Sequence, residues 1–182
     1  MRAEIRAEVA SITPLDELEG EHLSDVLAWI DSGAELCRIA KPSLPPKHLV
    51  SYFAVVDRKH VLLVAHKIAG LWLPTGGHVE PGEHPRAAVV REAREELAID
   101  AQFMFERPLM VTCTEVGITA RHVDVSLWYV LAGDRNAAVW YDNSEFDDAR
   151  WFLSAEVPTN RSDPHIERFV QKLALMREQS AR

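Results

Sequence analysis

The amino-acid sequence predicts an α/β sandwich with a mixed β-sheet, preceded by a short helical extension at the N-terminus. Several runs rich in Val, Leu and Phe have the length of strands, and other segments have the composition and apolar spacing of helices. Some strand-like runs are separated by only a few residues, which is typical of antiparallel hairpins. Because a helix and a sheet each bury an apolar face, this mixture is best accommodated as helices packed on a sheet.

Length, composition and charge restrict the classes of function. At 182 residues with 47% hydrophobic content, the chain fits one domain with a real core. The net charge of −8 argues against a general binder of nucleic-acid polymers, which need basic surfaces. No apolar run approaches the roughly 18 to 20 residues that span a bilayer, and the charged N-terminus lacks a signal-peptide segment. The two cysteines are too few for a disulfide framework, so the sequence predicts a cytoplasmic protein without a membrane partner.

Residues 1–40 are predicted to form a helical N-terminal extension to a main domain of residues 41–182. The apolar positions at helical spacing are Ile5, Val9 and Ile12 in a first helix and Leu23, Val26, Leu27 and Ile30 in a second. These helices offer a surface for interaction with a partner or for a homodimer. Residues 41–47, KPSLPPK, are predicted to be a stiff, extended connector because of their prolines.

The main domain begins with a predicted hairpin and a glycine-rich loop. Residues 48–57 and 60–66 are predicted strands, and the two residues between them suggest antiparallel pairing. Residues 71–85, LWLPTGGHVEPGEHP, contain so much Pro and Gly that a tight, irregular loop is expected. Residues 85–99 have the composition of a strong helix, and Pro85 suits its first turn.

The rest of the chain is predicted to supply three strands and a final helix. The strand-like segments are residues 103–116, 122–131 and 149–154. In the final segment, residues 163–179, Asp163 can cap the helix and Pro164 suits its first turn. Its apolar side consists of Ile166, Phe169, Val170 and Leu173.

Three glutamates of the predicted helix 85–99 point to a metal site. Glu92, Glu95 and Glu96 stand at positions i, i+3 and i+4, which share one helix face. Like charges at this spacing repel each other unless a cation compensates. Magnesium prefers carboxylate and phosphate oxygens as ligands. Glutamate-rich helices with arginine partners are also common as solvated faces, so the helix alone leaves both interpretations open.

The loop before this helix makes the metal interpretation more specific. Gly76 and Gly77 permit backbone conformations and close approaches that larger residues do not. Gly82 lets the chain turn back, and Glu83 adds a carboxylate at the helix entrance. A glycine loop that leads into a helix bearing metal-type carboxylates is more specific than either part alone.

The segment from Gly77 to Ile99 resembles the Nudix box, the signature of the Nudix hydrolase family. The matching residues are Gly77, Glu83, Arg91, Glu92, Glu95 and Glu96. One position departs from the family pattern, because Ala98 stands where a glycine usually ends the helix with positive φ. The resemblance extends from about Lys47 to the C-terminal helix. It implies an α/β/α sandwich that hydrolyses a nucleoside diphosphate linked to another group.

The resemblance also implies residue roles. Glu92, Glu95 and Glu96 would bind Mg²⁺, for which Mn²⁺ can substitute, and the Gly76 carbonyl would be a further ligand. Arg91 would orient the carboxylates, while Glu83 would support the loop or bind an additional ion. The general base remains open between Glu95, Glu96 and a carboxylate of a later loop. Glu145, in the acidic stretch DNSEFDD, is the candidate from such a loop, although acidic loops are usually just solvated.

Residues outside the box suggest how a substrate is chosen. In residues 122–131, Asp124 and Trp128 alternate onto one face of a strand, where the first can bond a base edge and the second can stack on it. Surface residues with satisfied hydrogen bonds are the plainer interpretation of this face. His78 can touch a phosphate, although solvent exposure is the plainer interpretation. The expected substrate is a small phosphorylated molecule such as a nucleoside triphosphate. The alternative function is a Nudix module that binds a nucleotide or metabolite without turnover, in a sensing role.

Overall fold

The computed structural model describes residues 1–41, 43–117 and 121–180. Within these residues the chain forms four α-helices, two short 3-10 helices and seven strands. The α-helices are α1 (Arg2–Ala10), α2 (Glu17–Asp31), α3 (Pro85–Leu97) and α4 (Ile166–Ser180). The strands are β1 (Lys47–Asp57), β2 (His60–His66), β3 (Leu71–Leu73), β4 (Thr75–His78), β5 (Met110–Val116), β6 (His122–Ala132) and β7 (Phe146–Leu153).

The strands form one mixed sheet. Its main order is β3-β2-β1-β6-β5, while β4 pairs with β1 and β7 pairs with β2. Strands β1 and β6 run parallel, from Lys47 opposite Val123 to Val56 opposite Ala132, whereas the other pairs are antiparallel. The predicted hairpin of β1 and β2 is confirmed, with Asp57 opposite His60.

Helices cover both faces of the sheet, as predicted. On one face, Phe169 and Leu173 of α4 belong to a hydrophobic cluster with Val56 and Trp128. The other face is covered by α1, α2 and α3, whose buried side chains include Ile5, Val26 and Leu97. The α/β/α sandwich is therefore confirmed, and no described helix combines the length and apolar character that a membrane crossing needs.

Helices α1 and α2 share the core of the sheet rather than standing apart from it. Their apolar residues pack in the same cluster as α3 and the sheet. Glu19 of α2 is 0% exposed, and its carboxylate accepts a hydrogen bond from Lys172 of α4. Because a buried charge needs a partner, this ion pair ties the extension to the last helix. The domain boundary after residue 40 and the homodimer stay predictions.

Several predicted segments differ from the structure. The predicted connector 41–47 includes Pro42, which lies outside the described residues. Its described residues do not form one extended segment, because Leu44 donates a hydrogen bond to the Ala40 carbonyl (3.0 Å) and β1 begins at Lys47. Residues 103–109 are not part of a strand, since Phe103 makes only an isolated bridge and Pro108 lacks an N–H for a ladder. The glycine-rich loop contains two short strands, β3 and β4, and the last strand begins earlier than predicted, at Phe146.

The end of α3 shows what Ala98 does in place of glycine. Ala98 adopts the left-handed conformation, with φ 53° and ψ 34°. Its N–H donates to the Arg94 carbonyl (3.2 Å), and the Ile99 N–H donates to the Ala93 carbonyl (3.1 Å). This is the hydrogen-bond pattern of a glycine-terminated helix made with a residue that has a Cβ. The chain therefore leaves the helix as it would after a glycine, but the Cβ of Ala98 makes this left-handed conformation strained.

We predict that Ala98→Gly stabilises the fold by about 0.5 to 1 kcal/mol, because glycine adopts this conformation without the Cβ clash. The measurement is the free energy of unfolding in urea. Ala87→Gly, at an exposed position of the same helix, is the matched control and should cost about 1 kcal/mol. Equal destabilisation by both substitutions would contradict the strain assigned to Ala98.

Candidate functional site

The glycines of β4 let this strand lie directly against β1 and α3. Gly76 has φ +148°, and a Cβ there would overlap the Ser51 carbonyl oxygen of β1. A Cβ on Gly77 would overlap the carboxylate of Glu92. The first contact excludes other residues because the neighbour is backbone. The second shows that the Glu92 carboxylate rests against the glycine backbone, where a larger residue would displace it.

Arg91 joins the loop to the helix. Its guanidinium donates to both carboxylate oxygens of Glu83, each at 3.0 Å, and to Glu92 Oε1 at 2.5 Å. It also donates to the His78 carbonyl at 3.1 Å. Burial tends to raise the pKa of Glu83, but the hydrogen bonds from Arg91 and the Glu80 N–H, together with the Arg91 charge, outweigh it and lower that pKa. Arg91 therefore holds the carboxylates of Glu83 and Glu92 in fixed positions.

Glu96 is the most buried carboxylate of the box. Its side chain accepts a hydrogen bond from the Gly76 N–H at 2.9 Å, and the residue is 6% exposed. Burial, followed by the nearby charge of Glu92, raises the pKa of Glu96 to about 9. Burial also raises the pKa of Glu92, although Arg91 opposes that shift. The site therefore resists holding both carboxylates ionised without a further cation.

A cavity of about 520 Å³ opens beside these carboxylates. Both acidic and basic side chains line it. The predicted site residues on its wall are Gly76, His78, Arg91, Glu92, Glu96 and Glu145. Arg38 and Lys41, from the segment before β1, also line it.

Two predicted ligands of the box do not line this cavity. The Glu95 side chain is 61% exposed, with Oε2 3.5 Å from Arg91 Nη1. Glu83 is held by Arg91 and by the Glu80 N–H (3.0 Å). The structure therefore brings Glu92, Glu96 and Glu145 onto one cavity, whereas Glu83 and Glu95 contact Arg91 without lining it.

These residues fit a divalent cation bound through oxygen. Glu92 and Glu96 line one cavity with Glu145, whose charge contributes to raising the pKa of both. Their mutual repulsion would be relieved by a hard cation, which prefers carboxylate ligands.

Asp124 and His78 lie together in a smaller adjoining cavity of about 150 Å³, which Glu96 and Gly76 also line. Burial, followed by the charges of Arg38 and two histidines, lowers the pKa of His78 to about 3. Burial raises the pKa of Asp124, against the effect of nearby histidines. The prediction that His78 is solvent-exposed is wrong, because it is half-buried.

The prediction that Trp128 stacks on a base is wrong. Its side chain is 0% exposed and packs on Phe169 of α4, with ring centroids 5.2 Å apart. The indole Nε1 donates to Thr112 Oγ1 at 2.9 Å. Trp128 shares a strand face with Asp124, but α4 covers that face at Trp128 and leaves it open toward Asp124.

Sequence reasoning missed four residues near the site. Arg38 and Lys41 were assigned to the extension and the connector, although the turn at residues 40–44 carries them to the cavity. His48 and His122 begin strands β1 and β6 and gather around Asp124. The sequence signal for the two histidines is that each lies at the start of a largely apolar strand. This signal does not show that the two strands are neighbours in the sheet.

Comparison with known proteins identifies the family and the fold. The model of the NUDIX domain matches residues 47–173. A CTP pyrophosphohydrolase from Escherichia coli (strain K12) is 34% identical over 100 residues, which are 50% of this chain and 74% of that protein. A NUDIX-family hydrolase from Clostridium perfringens has a similar structure, with TM-score 0.54 and 20% identity over 71% of this chain and 97% of that chain.

A second similar structure is a MutT NUDIX hydrolase from Burkholderia pseudomallei. It has TM-score 0.52 and 24% identity over 62% of this chain and 87% of that chain. At this identity the structures establish the fold, while the family is established by the domain match, which covers more than half of the 182 residues. The chain belongs to the Nudix family of hydrolases.

Proposed function

We propose that this protein hydrolyses a phosphoanhydride bond of a nucleoside triphosphate or a similar nucleoside diphosphate derivative, with Mg²⁺ as cofactor. The observation that carries the proposal is the cavity that Glu92, Glu96 and Glu145 line together with Arg38 and Lys41. Carboxylates of this kind hold divalent cations, and basic side chains contact phosphate oxygens. The relative named CTP pyrophosphohydrolase supports a nucleoside triphosphate as the substrate.

The metal would be held by Glu92 and Glu96, with Glu95 and the Gly76 carbonyl as further ligands. Glu83 would support the loop through Arg91, as its hydrogen bonds already do. When bound, Mg²⁺ or Mn²⁺ would supply charge neutralisation of the phosphate oxygens and a lower pKa for the attacking water. Arg91 fixes the orientation of Glu92 before any substrate arrives.

Glu145 is proposed as the general base. It lies in the loop before β7, where its backbone carbonyl accepts a hydrogen bond from the Lys67 N–H at 3.0 Å. Its side chain is exposed and faces the cavity that contains Glu92 and Glu96. A solvent-facing carboxylate can take a proton from water and release it again, whereas Glu96 is already bound to the Gly76 N–H.

The substrate would lie in the cavity that the carboxylates line. Arg38 and Lys41 would contact phosphate oxygens, while Asp124 and His78, in the adjoining cavity, would contact the part of the substrate beyond the phosphates. A nucleobase offers hydrogen-bonding groups of this kind. The protein would then act on small molecules rather than on a nucleic-acid polymer, in the cytoplasm.

A nucleotide sensor without turnover is the alternative function. The presence of every carboxylate of the box favours the enzyme, because a sensor does not need them. The test is a panel of nucleotides with Mg²⁺, scored for release of phosphate and pyrophosphate. Binding of a nucleotide without release of either product would identify the sensor.

We predict that Glu96→Gln lowers kcat by about 100-fold or more, a loss of about 2.7 kcal/mol of transition-state stabilisation, because it removes a charged metal ligand. Steady-state turnover with Mg²⁺ measures this effect. Glu106→Gln, at an exposed glutamate, is the matched control and should leave kcat unchanged. Undiminished Mg²⁺-dependent turnover by Glu96→Gln would show that the site is assigned wrongly.

We predict that Glu145→Gln lowers kcat without weakening Mg²⁺ binding, because a general base acts on water rather than holding the metal. Turnover at saturating Mg²⁺ and Mg²⁺ titration of the folded protein are the two measurements. An unchanged kcat would exclude Glu145 as the base, and a loss of Mg²⁺ affinity would make it a metal ligand instead.

We predict that Arg38→Ala raises KM about tenfold with little change in kcat, since a charge-assisted contact to phosphate contributes about 1.5 to 3 kcal/mol to binding. Arg38→Lys should recover part of the loss. Arg107→Ala, at an exposed arginine, is the control and should leave KM unchanged. A normal KM in Arg38→Ala would exclude the contact.

A further inference from the structure

Four potential metal ligands meet where β1, β4 and β6 lie side by side. His48 of β1 stands opposite Asp124 of β6 in the parallel register, and His122 lies two residues before Asp124 on the same face. His78 ends β4, which pairs with β1. One ligand atom from each of these four residues lies within 4.8 Å of the others. The residues come from three strands that the sheet holds in place.

The His48 ring presents a lone pair to an acidic oxygen. Its Nδ1 lies 2.8 Å from the Pro45 carbonyl oxygen, which can only accept, so Nδ1 donates. In a neutral imidazole the other nitrogen, Nε2, is then an acceptor. This atom is 3.2 Å from Asp124 Oδ1. Two acceptors at this distance repel each other unless a cation or a shared proton lies between them.

The geometry favours a cation over a proton. Although 3.2 Å apart, His48 Nε2 and Asp124 Oδ1 are not aligned as a hydrogen bond. Both atoms, and Nε2 of His78, are buried without a hydrogen-bond partner among the residues described. The His48 side chain is 0% exposed, so water does not compensate its nitrogen. A metal ion can accept a lone pair from each of these three atoms at once and does not require an aligned N–H group.

Two of the distances between ligand atoms suit a tetrahedral ion. Zinc binds imidazole nitrogen and carboxylate oxygen at about 2.0 to 2.1 Å, so neighbouring ligands of a tetrahedral site lie about 3.3 Å apart. Asp124 Oδ1 is 3.2 Å from His48 Nε2 and 3.4 Å from His122 Nε2. The Nδ1 contact of His48 with a backbone carbonyl is also the usual way in which a zinc-binding histidine is oriented.

We propose that His48, His78, His122 and Asp124 bind one Zn²⁺ ion, separate from the Mg²⁺ site of the helix carboxylates. Imidazole ligands favour zinc over magnesium, which prefers oxygen. With four protein ligands the site is closed, so its role is to fix the ends of β1, β4 and β6 beneath the substrate cavity. Asp124 would bind zinc through Oδ1 and face a substrate through Oδ2, so with zinc bound the contact beyond the phosphates would be made by Asp124 rather than by His78.

The test measures zinc bound to the untagged protein of residues 1–182. The protein carries Glu96→Gln, which weakens the carboxylate site, and excess Mg²⁺ keeps zinc from the carboxylates that remain. Equilibrium dialysis followed by elemental analysis gives the bound zinc, and Co²⁺ in its place reports tetrahedral coordination by its visible absorption. The ligand variants are His122→Gln and Asp124→Asn, whose parent side chains are 15% and 21% exposed and so tolerate substitution better than His48. His60→Gln is the control. Circular dichroism checks that each variant is folded.

We expect one zinc per chain, a tetrahedral Co²⁺ spectrum, and about tenfold or greater loss of zinc affinity in each ligand variant but not in His60→Gln. The proposal would be overturned if the protein with all four ligands retained no more zinc than the double variant His122→Gln/Asp124→Asn. The contact between His48 and Asp124 would then be explained by a shared proton. An octahedral Co²⁺ spectrum would also overturn it. Because zinc content is measured without turnover, failure of this inference is distinguishable from failure of the proposed hydrolysis.

Discussion

The candidate site depends on the hydrogen bonds of one guanidinium, that of Arg91. Without it, the carboxylates of Glu83 and Glu92 would lose the cation between them, and the loop would keep the Gly76–Glu96 hydrogen bond but lose its link from Glu83 to α3. The bonds to Glu83, and to a lesser degree those to Glu92, raise the pKa of Arg91 against the effect of burial, so the guanidinium remains charged. Its contact with the His78 carbonyl extends the same restraint to the end of β4.

The parallel pairing of β1 and β6 determines which polar residues meet. It places His48 beside Asp124 and Lys47 beside Val123. Strand β4 then brings the glycines between β1 and α3. The cavity is thus built from segments that are far apart in the sequence, on strands whose positions are set by the hydrophobic clusters on both faces of the sheet.

The local features of the site could be predicted from the sequence, and the nonlocal ones could not. Helical spacing is a property of consecutive residues, so the shared face of Glu92 and Glu96 followed from the sequence. The burial of Trp128 depends on where α4 lies, and alternation along a strand does not show which part of a face a helix covers. Arg38 was missed for the same reason, because its position depends on a turn and on a neighbouring strand.

The buried pair of Glu19 and Lys172 has a practical consequence for how the protein is divided. The family match begins at residue 47 and ends at residue 173, so it includes the lysine and omits the glutamate. An expression fragment cut at those limits would retain the Lys172 ammonium group with its carboxylate partner deleted. It would also uncover the apolar sheet face that α1 and α2 occupy. Recombinant fragments should therefore include both helices rather than begin at residue 47.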